Sequence, residues 1–381
     1  HKEDYAHATR AAAVSGVTTI VSQPNTEPAV TDLRGLAAVL AAAHESRVDH
    51  AVCARVTATA PDREALAALA HAGVVAIEVL GDTAALDGHG WLRLFEAVAP
   101  TGLPLACLAA DRALMEQNAA EARARPGASW RDWSRLVSGD AEVLGITRAV
   151  ALASRARVPL IVRQVTTADG LDVLRRAKRA GGDAQLWVEV NVHHLFLTDD
   201  DLERLGPYAQ MVPPPRPASD VAALWEGVRD GTVDFISSDH APHAPEEKER
   251  GRVDPWAGPT GIPGLDTLVC LLVDAALDGR LTLTRLTELL SAAPSRIHRL
   301  APTKGALAVG ADADLVLIDP GATWTIDESR IFTRCGWSAF AGRRGRGAPV
   351  ATLVRGQVVA RDGKPLDLAV GRFLEPGRRS T

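Results

Sequence analysis

A chain of 381 residues with 46% hydrophobic and 23% charged residues can bury a sizeable core, and none of its apolar runs is long enough to cross a bilayer. A net charge of −5 leaves no dominant basic face, so neither nucleic acid nor a membrane is an expected partner. The four cysteines, Cys53, Cys107, Cys270 and Cys335, are widely spaced without a CxxC pair and read as reduced, buried thiols of a cytoplasmic protein.

The opening stretch "HKEDYAHATRAAAVSG" has a helical period, with Tyr5, Ala8, Ala11 and Ala12 on one face and Gly16 as a stop. A domain rarely starts on such a helix, and the first residue is His1 rather than Met, so a segment upstream is expected. Seven apolar, β-branched runs follow: "GVTTIVSQPN" (16–25), "HAVCARV" (50–56), "GVVAIEVLG" (73–81), "PLACLAA" (104–110), "VPLIVRQVT" (158–166), "AQLWVEVNV" (184–192) and "VDFISSDH" (233–240). Helical segments such as "DREALAALAHA" and "ADGLDVLRRAKRAG" separate them. Continuous apolar strands between helices predict a parallel sheet covered on both faces. Seven βα units predict an α/β chain with a (β/α)8 TIM-type barrel over residues 1–303, its first strand lying upstream of His1. The acidic and basic run "EEKER" reads as a solvated face. After residue 303, "KGALAVGADADLVLIDP" and "VATLVRGQVVARDG" alternate and break at Gly and Asp, which predicts a small β domain over 304–381. Its polar tail "EPGRRST" is expected to fray.

Catalytic groups of a parallel barrel gather at the C-terminal ends of its strands. Those ends carry Gln23 to Thr26, Glu78, Leu108 to Asp111, Arg163 and Gln164, Asn191 to His194, and Asp239 to His243. Asp239, in "SSDHAPHAPEEKE", reads as a proton-transfer group or as a turn cap. His243 reads as a ligand contact or a packed ring, and Asn25 in "QPNTEP" as a ligand contact or a turn residue. Glu78 inside a barrel must be paired or protonated, with Arg163 or Arg112 as the candidate partner. Of His193 and His194, one is expected to pack and the other to bond to the barrel rim.

In order and spacing, "HKEDYAHATRAAAVSGVTTIVSQPNTEP", "HHLFLTDDDL", "VPPPRPASD", "SSDHAPHAPEEKE", "GPTGIPGLDT" and "GALAVGADADLVLIDP" resemble the dihydroorotases and related cyclic-amide hydrolases of the amidohydrolase superfamily. The resemblance implies a barrel with a small β-sandwich domain and a mouth holding one or two zinc ions. It implies a metal-bound hydroxide that opens a small cyclic amide or ureido acid, with Asp239 as general acid/base and metal ligand. It places Asn25 and His243 against the substrate, and Arg216 in the loop where the family has Asn-Pro-Pro-x-Arg, with Val212 standing for the asparagine. A homo-oligomer is the assembly it implies.

The metal positions depart from that pattern. The His-x-His pair of a first strand is absent from this sequence. Glu78 falls at the position of a bridging lysine and Leu80 at that of an aspartate, while two ligand histidines are replaced by Leu108 and Gln164. Neither leucine nor a neutral amide substitutes well for imidazole on zinc. The resemblance therefore leaves two readings. One is a pseudoenzyme: a degenerate dihydroorotase of pyrimidine biosynthesis without cofactor, with a structural role toward aspartate transcarbamoylase. The other is an active zinc hydrolase using Asp239, Glu78 and upstream histidines. A hydantoinase or allantoinase fits less well, because Glu78 cannot be carbamylated.

Overall fold

A computed structural model describes residues 2–57, 61–79, 83–84, 86–108, 110–125 and 129–377. The helix Tyr5–Ser15 starts at Asp4, whose carboxylate accepts from the His7 amide at 2.8 Å, and ends at Gly16 with φ of 89°. Seven strands follow: β1 (Thr19–Ser22), β2 (Asp49–Val56), β3 (Ala76–Val79), β4 (Leu105–Leu108), β5 (Leu160–Arg163), β6 (Leu186–Asn191) and β7 (Phe235–Ser237). They pair in chain order, each parallel to the next, and helices make the crossovers.

Side chains alternate across each strand. Ile77, Val79, Leu105, Cys107, Leu160, Val162, Val188 and Val190 face the helices and form the main core. Ala106, Ile161, Phe235 and Trp187 point the other way, onto Ala293 and Ile297, which close the floor of the barrel. Two residues beyond that floor on their strands come Leu108, Arg163 and Ser237, at the C-terminal ends of β4, β5 and β7, and Glu189 within β6. The sheet is strongly curled, because Arg163 on β5 reaches Gln23 beyond β1 at 2.8 Å. In a flat sheet, four strand spacings would hold those strands roughly 19 Å apart.

A second sheet is antiparallel, in the order β11-β10-β9-β8, from β8 (Leu315–Thr325), β9 (Arg344–Val354), β10 (Gln357–Arg361) and β11 (Lys364–Pro365). Val354, Val359 and Ala360 pack on Ala11, Ala12 and Ala13 of the first helix. Charges complete the join. Asp49, fully buried at the start of β2, pairs with Arg355 and, at 2.5 Å, with Lys304. Lys304 also binds Asp312 at 2.8 Å and Asp314 at 2.6 Å.

Three expectations are corrected. The stretch from Lys304 does not enter the sheet until Leu315; Gly305 and Gly310 turn the chain with positive φ, leaving Leu307 and Val309 exposed. Of the tail "EPGRRST", the first three residues do not fray, since Gly377 N–H donates to Arg299 O, and the chain just before them is held by His50 N–H to Arg372 O and Leu374 N–H to His50 O. Residues 378–381 lie outside the described residues. "EEKER" is not wholly solvated either. Lys248, in the helix Pro245–Val253, is fully buried and donates to the carbonyls of Gln210 (3.3 Å), Pro259 (2.8 Å) and Gly261 (3.0 Å).

All four cysteines are free thiols, with Cys53, Cys107 and Cys335 buried and Cys270 half-buried. Among the described residues no helix is long and apolar enough to cross a membrane.

Candidate active site at the barrel mouth

The strand ends meet in a network centred on Arg163. Its Nη1 donates to Glu78 Oε1 of β3 and, at 2.8 Å, to Gln23 Oε1 beyond β1, while its Nε donates to Glu189 Oε2 of β6 at 2.8 Å. Ser237 Oγ of β7 lies 2.5 Å from Glu189 Oε1 and 2.9 Å from Asn191 Oδ1. Beyond β7, Asp239 Oδ2 accepts from Gln164 Nε2 and from Asn191 Nδ2, each at 2.8 Å. Glu78 and Glu189 are only 3% and 2% exposed.

Burial and pairing compete here. Burial pushes the Glu78 carboxyl up, against the pull of Arg163. Burial also lifts Asp239 to about 6, with Arg163 opposing and Glu189 adding to the rise. Burial works against the Arg163 charge, yet Glu189 and Glu78 outweigh it and hold the guanidinium well above its ordinary value.

Of the residues singled out from sequence, Asp239 and Glu78 join this network, and Glu78 takes Arg163 as its partner. Arg112 instead lies 4.0 Å from Glu116 on the helix Arg112–Arg123. Asn25 is exposed past β1, and its side chain has no hydrogen-bond partner among the described residues. His243 is buried with both ring nitrogens engaged: Nε2 lies 3.0 Å from Thr260 O, which fixes it as the donor, and Nδ1 accepts from Lys2 Nζ at 3.0 Å. Burial and the Lys2 charge lower its pKa.

Arg216 is buried in a different network. Its Nε donates to Thr166 Oγ1 at 2.9 Å and its Nη1 to Val137 O at 2.5 Å, with Glu142 at 3.6 Å. Glu142 itself accepts the backbone N–H groups of Thr166 and Thr167, so this cluster ties down the loop after β5. Asn25, His243 and Arg216 share no hydrogen bond with Asp239. His193 packs on Phe340 with ring centroids 6.0 Å apart, and His194 Nε2 bonds to Pro213 O at 3.0 Å, the division expected of the pair. Leu80 lies outside the described residues.

Glu189 was not singled out in the sequence. Its signal was a single charge in the apolar run "LWVEVN", at the same inward parity as Asn191.

Zinc requires three or four N, S or O donors converging on one point. At the mouth, Leu108 is half-buried against Ala110, Met115, Val137 and Ala141, and supplies no donor. Gln164 turns its N–H groups toward Asp239, and Glu78 and Glu189 already face a cation. Glu78 Oε2, buried without a partner, and Asp239 Oδ1, outside the two amide contacts, leave two free oxygens where zinc needs three donors. Among the described residues, the groups of three metal-capable side chains lie elsewhere: Glu3, Asp4 and His7, and Asp49, Asp312 and Asp314 around Lys304. The residues at the mouth do not fit a zinc ion.

A curled parallel sheet with an aspartate and its amide partners at the strand ends, beside a small antiparallel sheet, defines a TIM-type barrel with a small β domain. The chain belongs to the amidohydrolase family, whose model, described as "Amidohydrolase family", matches residues 158–359. It is 32% identical over 370 residues to an L-hydantoinase of Paenarthrobacter aurescens, covering 95% of this chain and 80% of that protein. It is 34% identical to a dihydroorotase of Halobacterium salinarum (94% and 82% covered) and 35% identical to an allantoinase of Rubrobacter xylanophilus (99% and 83%). Among solved structures, L-hydantoinase (dihydropyrimidinase) from Arthrobacter aurescens superposes with a TM-score of 0.92 at 30% identity, covering 98% of this chain and 84% of that one.

Proposed function

We propose that this chain is a non-hydrolytic member of the cyclic amidohydrolases, one that keeps the barrel and its strand-end aspartate without the means to present a metal-activated hydroxide. The observation that carries this reading is the donor set at the mouth, where Leu108 supplies no donor and Gln164 turns an N–H toward Asp239 Oδ2. A general base needs a free lone pair aimed at the water it deprotonates. Gln164 and Asn191 hold Oδ2 and leave Oδ1 for that task, but the metal that would acidify the water has too few donors here, and at the Gln164 position a zinc site would need a lone-pair donor. The ligand class that goes with the relatives is a small cyclic amide or ureide, and three differently named activities at 32 to 35% identity support the class rather than one ring. Exposed Asn25 is the available ligand contact. His243, with both ring nitrogens engaged, and Arg216, with Nε and Nη1 bonded and Nη2 buried 3.6 Å from Glu142, act through the loops they hold.

The same reading includes a cytoplasmic homo-oligomer with a scaffolding role toward aspartate transcarbamoylase, the partner suggested by resemblance to dihydroorotases. The test is purified protein assayed for opening of dihydroorotate, hydantoin and allantoin, with and without added zinc, alongside elemental analysis. No turnover and trace zinc are expected. Turnover that depends on Asp239, with stoichiometric zinc, overturns the reading in favour of an active hydrolase. Co-elution with a transcarbamoylase at fixed stoichiometry supports the scaffold role, and separate elution removes it.

A further inference from the structure

We infer that Arg163 is a built-in cation that takes over, within this barrel, the charge balancing and strand cross-linking a bound metal ion would otherwise supply. The inference rests on the reading that the mouth is metal-free, and it says what replaced the metal. From β5, one guanidinium bonds Glu78 on β3, Glu189 on β6 and Gln23 beyond β1, and its charge acts on Asp239 beyond β7. Buried carboxylates grouped in one site resist joint ionisation unless a cation lies among them. An arginine suits that task, because its fork sends fixed donors in diverging directions and stays charged under all physiological conditions. A divalent ion would compete for the same Glu78 and Glu189 oxygens and would meet the guanidinium's repulsion. Cation and metal are therefore alternatives at this mouth.

The test is thermal unfolding of the full chain and its variants, with and without Zn2+ or Mn2+. Wild type is expected to show no melting shift with either ion. Arg163→Met, similar in length and uncharged, is expected to melt roughly 5–10 °C lower and to recover part of that loss when a divalent ion is added. Arg163→Lys, which keeps the charge and loses the fork, should fall between. If Arg163→Met does not fold, the triple variant Arg163→Met, Glu78→Gln, Glu189→Gln decides: it should fold, since the one carboxylate of the network that remains, Asp239, keeps its two amide donors. Failure of the triple to outperform the single variant overturns the inference. So does a wild-type protein that zinc stabilises, or an Arg163→Met protein as stable as wild type. Ring-opening turnover in wild type would sink the proposed function without touching these melting outcomes, so the two can fail separately.

Discussion

Gln164 Nε2 donates to Asp239 Oδ2 at 2.8 Å, and both residues hold left-handed backbone, with φ of 57° and 41°. Residues other than glycine seldom adopt that region, at a cost on the order of 1 kcal/mol each. One lies immediately after β5 and the other two residues after β7, so the two turns aim the side chains at one another across the mouth. The contact is thus built by strained backbone on both sides.

The first prediction concerns Asp239. Burial raises its pKa to about 6, from an unfolded value near 4. An acid whose folded pKa is raised favours its protonated form, so its contribution to stability is fully present below about pH 4 and is lost as pH rises through about 6. Asp239→Asn keeps an acceptor oxygen for Gln164 and Asn191, and asparagine tolerates the left-handed backbone. The variant should be more stable than the parent by about 1–3 kcal/mol near pH 7.5, with the difference closing near pH 4. Urea unfolding across that range checks it. A variant that is weaker near neutrality would show that Arg163 stabilises the carboxylate more than burial disfavours it.

How much of this was legible in the sequence depends on the kind of interaction. The barrel strands were readable because both faces are buried, leaving continuous apolar runs, and each of β1 to β7 falls within its predicted run apart from one residue at the start of β2, whereas β8, β9 and β11 of the small sheet reach beyond theirs. Pairing of Glu78 was required by its burial, but the choice between Arg163 and Arg112 needed the fold, which puts one at an inward strand end and the other on an outer helix. The reversal of Lys248 had no visible signal, since a cage of main-chain carbonyls leaves no mark in side-chain identity. Arg216 and His243 were placed near the ligand by motif position, yet long-range contacts with Glu142, Val137 and Lys2 decide what their nitrogens do.

A second prediction introduces imidazoles at the two positions where the family resemblance expects them. In the double variant Leu108→His, Gln164→His, zinc after dialysis should stay at trace level by elemental analysis, because Arg163 still holds Glu78 and Glu189. Adding Arg163→Met to that background should raise zinc toward stoichiometric binding. One equivalent of zinc in the double variant alone would show that the side chains at 108 and 164, rather than the guanidinium, set the metal preference.

Arg216 distinguishes a ligand contact from a loop anchor. Its removal leaves buried Glu142 with a reduced counter-charge and strips a donor from Thr166 and from the Val137 carbonyl. Arg216→Met should lower stability by about 3–5 kcal/mol, measured by chemical denaturation without any ligand present. A variant as stable as the parent would return Arg216 to a ligand-binding role.

Lys248 gives the last prediction. Its ammonium joins the segment at Gln210 to the one at Pro259 and Gly261. Gly261 N–H in turn donates to Gln210 O at 2.9 Å, and Ala241 N–H, two residues past Asp239, to Ile262 O at 3.0 Å. Lys248→Met fills a similar volume but takes the donor from the Pro259 and Gly261 carbonyls, while Gln210 O keeps Gly261 N–H, at an expected loss of about 2–4 kcal/mol. If the lysine merely filled space, packing would be kept and local protection unchanged. If it holds the loop that carries Asp239, hydrogen exchange at Gly261 and Ala241 should accelerate by more than the global loss of stability explains, while amides of β4 and β5 track that global loss. Uniform acceleration across all of these amides would reduce Lys248 to a contributor to overall stability with no particular hold on the mouth.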